Sequence, residues 1–130
     1  MKRALFFLAT IALFTACVEE TDPNNAREDF LGNWTCTEYE GDFAPQTYNV
    51  EVTPFGSDNQ VLISGLYNFG PTFILGGTVS GKTLNIEYQL VSRVSISGYG
   101  NINLNLDRVD VTFTANDGGG ADNVRAYWLR

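Results

Sequence analysis

Histidine is absent from this 130-residue chain, and cysteine occurs only twice, as Cys17 and Cys36. Without an imidazole, a Ser-His-Asp or Cys-His catalytic arrangement is impossible. A zinc site would have to be built from carboxylates and one thiol, whereas zinc sites usually rely on histidine or several cysteines. The sequence therefore predicts that the protein is not an enzyme and that it holds no metal ion and no cofactor.

Carboxylates are the remaining candidates for chemistry, because pairs of them serve glycosidases and aspartic proteases. Glu38 and Glu40 lie two positions apart in one strand-like run. No catalytic signature surrounds them, and a solvated strand face is the better interpretation. The turn from Asp117 to Asp122 lacks the alternating ligand spacing of a calcium loop, so we expect a flexible hairpin there.

Basic residues are also scarce. Eight Lys and Arg residues stand against 15 Asp and Glu residues, which gives a formal net charge of -7. An acidic domain repels phosphate groups, so we expect no nucleic-acid partner and no flat docking on an anionic lipid surface.

Long apolar runs are missing except at residues 4–14, which follow a cationic pair at residues 2 and 3. This run is too short to cross a bilayer permanently, and it has the shape of a helical signal peptide covering residues 1–16. Its end, Phe14-Thr15-Ala16-Cys17, resembles the lipobox of bacterial lipoproteins. The resemblance implies that Cys17 is acylated and anchors the protein in the cell envelope, most simply in the outer membrane.

Residues 17–29 are acidic, contain few apolar side chains and include Pro23-Asn24-Asn25. We expect them to form a solvated linker between the lipid anchor and a domain at residues 30–130. Cys36 has no disulfide partner once Cys17 is acylated, so we expect it to be a buried structural thiol.

Residue types that favour strands are abundant in that domain. Apolar and polar positions alternate in several runs, which predicts walls with one dry face. The dry faces carry Tyr48, Val50 and Val52; Leu84, Ile86, Tyr88 and Leu90; and Val109, Val111, Phe113 and Ala115. Eight runs separated by short turns are predicted at residues 33–40, 46–54, 59–65, 72–79, 82–90, 93–104, 107–115 and 122–129. The predicted fold is therefore all-β, an eight-stranded antiparallel up-and-down meander that closes into a barrel.

The opening Phe30-Leu31-Gly32-Asn33-Trp34 resembles the Gly-x-Trp start of lipocalins, and later stretches such as ISGLYNFG and ADNVRAYWLR resemble small lipocalin-like bacterial lipoproteins. This resemblance covers residues 30–130. It implies that Trp34 plugs one end of the barrel and that a late arginine packs across the indole. Arg125 and Arg130 are the candidates, and Arg125 is the first choice.

Aromatic residues lie in nearly every predicted strand, and small-molecule pockets are largely apolar. The resemblance favours a barrel that binds a small hydrophobic ligand, with Trp34, Tyr48, Tyr88 and Phe113 as candidate ligand contacts. The alternative is a protein-interaction or structural module of the envelope with a filled core, since eight strands leave little internal room. Exposed aromatic residues around residues 67–71 would favour the alternative, and an open cavity lined by Tyr48, Tyr88 and Phe113 would favour the ligand.

Overall fold

The computed structural model describes residues 23–130, and side chains from Ala26 onward. The predicted signal peptide, the lipidation site at Cys17 and the first part of the predicted linker lie outside the described residues. No helix among the described residues is long and apolar enough to cross a membrane.

Eight strands form a closed barrel in which each strand pairs with its sequence neighbours and β1 pairs with β8. All eight pairings are antiparallel. The strands are β1 (Gly32–Glu40), β2 (Gln46–Pro54), β3 (Gln60–Gly65), β4 (Gly70–Ser80), β5 (Thr83–Val91), β6 (Val94–Ile102), β7 (Arg108–Asn116) and β8 (Ala121–Leu129). The predicted all-β up-and-down barrel is confirmed, and its predicted strand positions agree closely with the observed ones.

Two short 3₁₀ helices complete the part of the chain that the structure describes. The first, Pro23–Asp29, precedes β1, and the second, Leu66–Asn68, connects β3 to β4. The first lies beside the turns that follow β2 and β4, at the end of the barrel that we call the closed end. The second lies at the opposite end, which we call the mouth.

The alternation of the strands fills the barrel with apolar side chains, as β2 and β7 illustrate. Tyr48 and Phe113 both point inward and are buried. Gly98 on β6 lies opposite Phe113, and a Cβ atom on that glycine would approach the carbonyl oxygen of Thr112 to 2.3 Å. Glycine is therefore required here so that the β6 backbone can lie this close to the backbone of β7 at Thr112 and Phe113.

Tyr88 and Leu90 do not follow the predicted pattern. Between Ile86 and Gln89, three steps along β5 match two along β6, and this irregularity reverses the facing of later residues. Tyr88 is consequently 74 % exposed on the outer wall, and Leu90 is exposed as well. The prediction that Tyr88 lines the interior is wrong because the bulge interrupts the alternation of β5. The composition of β5 gives no sign of this bulge.

The predicted linker also differs from the structure in its second half. Residues 23–29 are helical and pack on the barrel, where Ala26 is buried. The Arg27 guanidinium donates to the carbonyl oxygens of Ser57 and Gln60 at 2.7 and 3.2 Å. The domain therefore begins earlier than residue 30, because this segment covers apolar surface at the closed end.

Candidate functional site

Trp34 lies at the closed end of the barrel, near the start of β1. Its side chain is buried, and its indole N–H donates to the carbonyl oxygen of Phe30 at 2.8 Å. The Arg130 guanidinium lies 3.9 Å from the indole ring centroid. It also donates to the carbonyl oxygens of Leu31 and Leu106 at 3.0 and 2.8 Å, so the arginine ties three chain segments together.

Arg130, not Arg125, is therefore the arginine that covers Trp34. Arg125 lies between two inward-pointing residues of β8 and faces outward, where its guanidinium is 3.8 Å from the Glu40 carboxylate. Glu40 is six residues from Trp34 along β1, a separation of about 20 Å. The first choice of Arg125 is wrong because it occupies the outward phase of its strand and lies toward the mouth.

The interior of the barrel is packed. Several wall residues expose 2 % or less of their surface: Trp34, Cys36, Val50, Ile63, Leu75, Leu84, Ile96, Val111, Phe113, Val124, Ala126 and Trp128. A cavity wide enough for a ligand would leave its walls accessible to a water molecule. Tyr48 and Phe113 thus belong to the core, and the open internal cavity that would favour a lipocalin-type ligand is not found beside these residues.

A buried carboxylate lies on the mouth side of this core. Glu38 is completely buried and accepts hydrogen bonds from the Tyr48 hydroxyl at 2.5 Å and the Gln46 side-chain amide at 2.9 Å. The Tyr48 oxygen in turn accepts the backbone N–H of Tyr67 at 2.9 Å. The interpretation of Glu38 as part of a solvated strand face is wrong. Its period-two spacing from Trp34 and Cys36 is the signal that places it inside.

A second buried carboxylate, Asp122, lies at the start of β8. One of its oxygens accepts the Tyr67 hydroxyl at 2.6 Å, and the other accepts the backbone N–H of Asp42 at 2.9 Å. Asp122 is on the same face of β8 as Val124, which could have marked it as inward-pointing. No cluster of three metal-ligating side chains is present among the residues that the structure describes.

Burial keeps the titratable donors of this region protonated. It raises the pKa of the Cys36 thiol to about 12, with a smaller contribution from the neighbouring Glu38 charge. Burial also raises the pKa of Tyr48 and of Tyr67, and hydrogen bonding to the carboxylates acts in the same direction. The two tyrosines therefore serve as neutral donors, and Cys36 is the buried thiol that the sequence suggested.

An aromatic row crosses the mouth. The ring centroids of Phe43 and Tyr67 are 5.5 Å apart, those of Tyr67 and Phe69 are 5.0 Å apart, and those of Phe69 and Phe73 are 5.0 Å apart. All three contacts are edge-on. Phe43 and Phe69 remain 58 % and 43 % exposed, so the row presents apolar surface to solvent. Of the residues predicted as ligand contacts, Trp34, Tyr48 and Phe113 are core residues and Tyr88 is outside, so the structure does not bring the four together.

Fold and site together define a packed eight-stranded up-and-down barrel with a plugged end and an aromatic mouth. No protein-family model matches the chain, and no curated protein matches it either.

Proposed function

We propose that this protein is a lipid-anchored module of the bacterial cell envelope that contacts a partner protein through the mouth of its barrel. The observation that carries the proposal is the exposure of Phe43 and Phe69 beside a packed interior. Clustered exposed aromatic residues are typical of protein contact sites. A protein-interaction module is therefore preferred to a ligand-binding barrel, because the packed core offers no room for the predicted ligand.

The proposed anchor at Cys17 gives the mouth a direction. The helix Pro23–Asp29 packs at the closed end, so only five residues separate Cys17 from the described barrel. Five extended residues span about 18 Å at most. Anchoring through Cys17 therefore holds the closed end toward the membrane and leaves the mouth free to meet a partner.

The resemblance to lipocalin-like lipoproteins is part of the same proposal. Trp34 at the closed end with Arg130 stacked over it supports that kinship.

Site-directed photo-crosslinking in cells tests the partner contact. A photoreactive residue at Phe43 or Phe69 is expected to give discrete crosslinked products of a single partner. Leu104, which is 88 % exposed in the turn between β6 and β7 at the closed end, is the matched control and should give none. Equal crosslinking from all three positions, or none from the mouth, contradicts the proposal.

Detergent-phase partitioning and mass spectrometry test the anchor. Replacement of Cys17 by serine should abolish acylation and membrane attachment, because no other acylation site is proposed. Replacement of Cys36 by alanine is the control and should leave both unchanged, since this thiol is buried. Membrane attachment that survives loss of Cys17 would exclude this anchor.

Binding of a small molecule is the second candidate function, and one observation favours binding at the mouth over binding in the interior. A cleft of about 270 Å³ opens there, lined by Phe69, Thr72, Phe73, Ser92 and Val94. A small apolar ligand at this end would contact the aromatic row and not the core residues predicted from the sequence.

A further inference from the structure

The side chain of Tyr67 is enclosed at the mouth by aromatic rings and by one hydrogen-bond acceptor. Its ring makes edge-on contacts with Phe43, Phe69 and Phe113, with centroid distances of 5.5, 5.0 and 5.9 Å. Its hydroxyl donates to the buried carboxylate of Asp122 at 2.6 Å. An aromatic enclosure with one aligned acceptor recognises both parts of a phenol. We call these four surrounding residues the phenol cradle.

Two of the four cradle residues, Phe113 and Asp122, are held in place without help from Tyr67. Phe113 belongs to the β7 wall, where its Cα and Cβ lie against Gly98. Phe69 contacts the buried ring of Phe73, but it lies between Gly65 and Gly70 in the same segment as Tyr67. The second oxygen of Asp122 is already held by the backbone N–H of Asp42. A different phenol would therefore meet one aromatic wall and one hydrogen-bond acceptor that are already in place.

The segment that carries Tyr67 has an unfavourable backbone. Tyr67 and Asn68 have φ angles of 62° and 59°, in the left-handed region that side chains rarely adopt. Gly65 and Gly70, with φ angles of 93° and 87°, flank them. Glycines allow large φ and ψ changes, and backbone strain of this kind occurs where a segment changes conformation. The two glycines give this segment the conformational freedom that release of Tyr67 requires.

Asp122 determines what can replace Tyr67. Among residues 26–130, no cationic side chain forms an ion pair with this carboxylate. Departure of the tyrosine hydroxyl leaves one carboxylate oxygen without its donor, and a bare hydrocarbon in its place would bury that oxygen unpaired. The replacement must therefore bring a hydroxyl together with its ring.

We propose that the phenol cradle is a binding site for a small hydroxyaromatic molecule, which displaces Tyr67 from it. The ring of the ligand lies among the three phenylalanines, and its hydroxyl donates to Asp122. This site goes beyond the protein contact proposed above, and its binding is measured separately from crosslinking at the mouth.

The test measures binding of p-cresol and of toluene to the purified full-length protein by calorimetry and saturation-transfer NMR. The wild-type protein should bind p-cresol, and Tyr67→Gly should bind it about tenfold more tightly, because the competing side chain is gone. Both should prefer p-cresol to toluene by about tenfold, since only p-cresol supplies a donor to Asp122. Tyr88→Ala, which removes an exposed tyrosine from the outer wall, is the control and should bind like wild type.

Two results would overturn the proposal. If wild-type protein fails to bind p-cresol at concentrations that saturate Tyr67→Gly, Tyr67 is a permanent plug. If p-cresol and toluene bind equally, the carboxylate does not select the ligand. Should Tyr67→Gly not fold, Tyr67→Phe replaces it, because this variant keeps the ring but loses its bond to Asp122. It should bind p-cresol more tightly than wild type, and an unchanged affinity would also overturn the proposal.

Discussion

The two ends of the barrel are closed by different chemistry. At the closed end, an indole is buried under a guanidinium that donates to neutral backbone carbonyls, as Trp34 and Arg130 show. At the mouth, Tyr67 is held by a carboxylate and by a hydroxyl that is itself bound to a second carboxylate. The closed end thus ties backbone segments together, whereas the mouth depends on side chains holding one strained residue.

This difference separates permanent closure from closure that a ligand can replace. Trp34 belongs to β1 and pairs with Val50 of β2, so it cannot leave the closed end without opening the sheet. Tyr67 instead lies in a connection between strands. Its backbone N–H donates to the Tyr48 hydroxyl, and its other contacts are made by its ring and its hydroxyl. A free phenol carries the same ring and hydroxyl. Stability differences between matched substitutions at the two ends are the direct way to challenge this comparison.

Trp34→Ala should have the largest effect, because it removes a completely packed ring from the closed end. We expect the free energy of unfolding to fall by about 4 kcal/mol. The matched change at the mouth, Phe69→Ala, should cost less than about 1 kcal/mol, because that ring is partly exposed. Urea denaturation of both variants measures the difference, and similar losses would mean that the mouth is as firmly packed as the closed end.

Glu38→Ala should come next. The change leaves the Tyr48 hydroxyl without its acceptor and opens a hole in a buried network, for a cost of about 3 kcal/mol. Glu38→Gln keeps the shape and an acceptor oxygen, so its cost should be about 1 kcal/mol. The same urea experiment decides. If neither variant is destabilised, Glu38 lies on a solvated strand face, and its hydrogen bonds do not stabilise the mouth.

Alkaline pH should lower the free energy of unfolding, because the buried Cys36, Tyr48 and Tyr67 have raised pKa values in the folded state. The Cys36 thiol has an unfolded pKa near 9.0 and a folded pKa of about 12. Between these values the folded state binds more protons than the unfolded state, so stability falls as pH rises. Cys36→Ala should lessen the slope by about 1.4 kcal/mol per pH unit in that window. Urea midpoints between pH 8 and 11.5 measure it, and identical slopes would mean that Cys36 is not buried.

The strands could be predicted from the sequence because alternation and turn residues are local signals. The same alternation also indicates which face of its strand each buried carboxylate occupies. Glu38 follows Trp34 at a spacing of four, and Asp122 precedes Val124 at a spacing of two, so both are in the inward phase. Charged side chains usually face solvent. Glu38 and Asp122 can nevertheless point inward, because the hydroxyls of Tyr48 and Tyr67 donate hydrogen bonds to them.

Other features had no local signal. The irregularity in β5 that moves Tyr88 outward depends on pairing with β6 and not on the composition of β5. The inward position of Tyr67 depends on a left-handed backbone in a connection between strands, where no period exists. The candidate phenol site therefore could not be found before the strands were assembled.

The smallest expected effect on stability distinguishes Arg125, which lies in β8, from Arg130, which directly follows β8. Arg130→Ala should lower the free energy of unfolding by about 1 kcal/mol, because the guanidinium stacks on Trp34 and donates to carbonyls of separate segments. Arg125→Ala should change it by less than about 0.5 kcal/mol, because its ion pair with Glu40 is exposed. High salt should leave the first loss nearly unchanged, since carbonyl acceptors carry no net charge to screen. An equal loss from both variants would mean that the closed end is held by packing alone, and that its stacked arginine contributes no more than a surface charge.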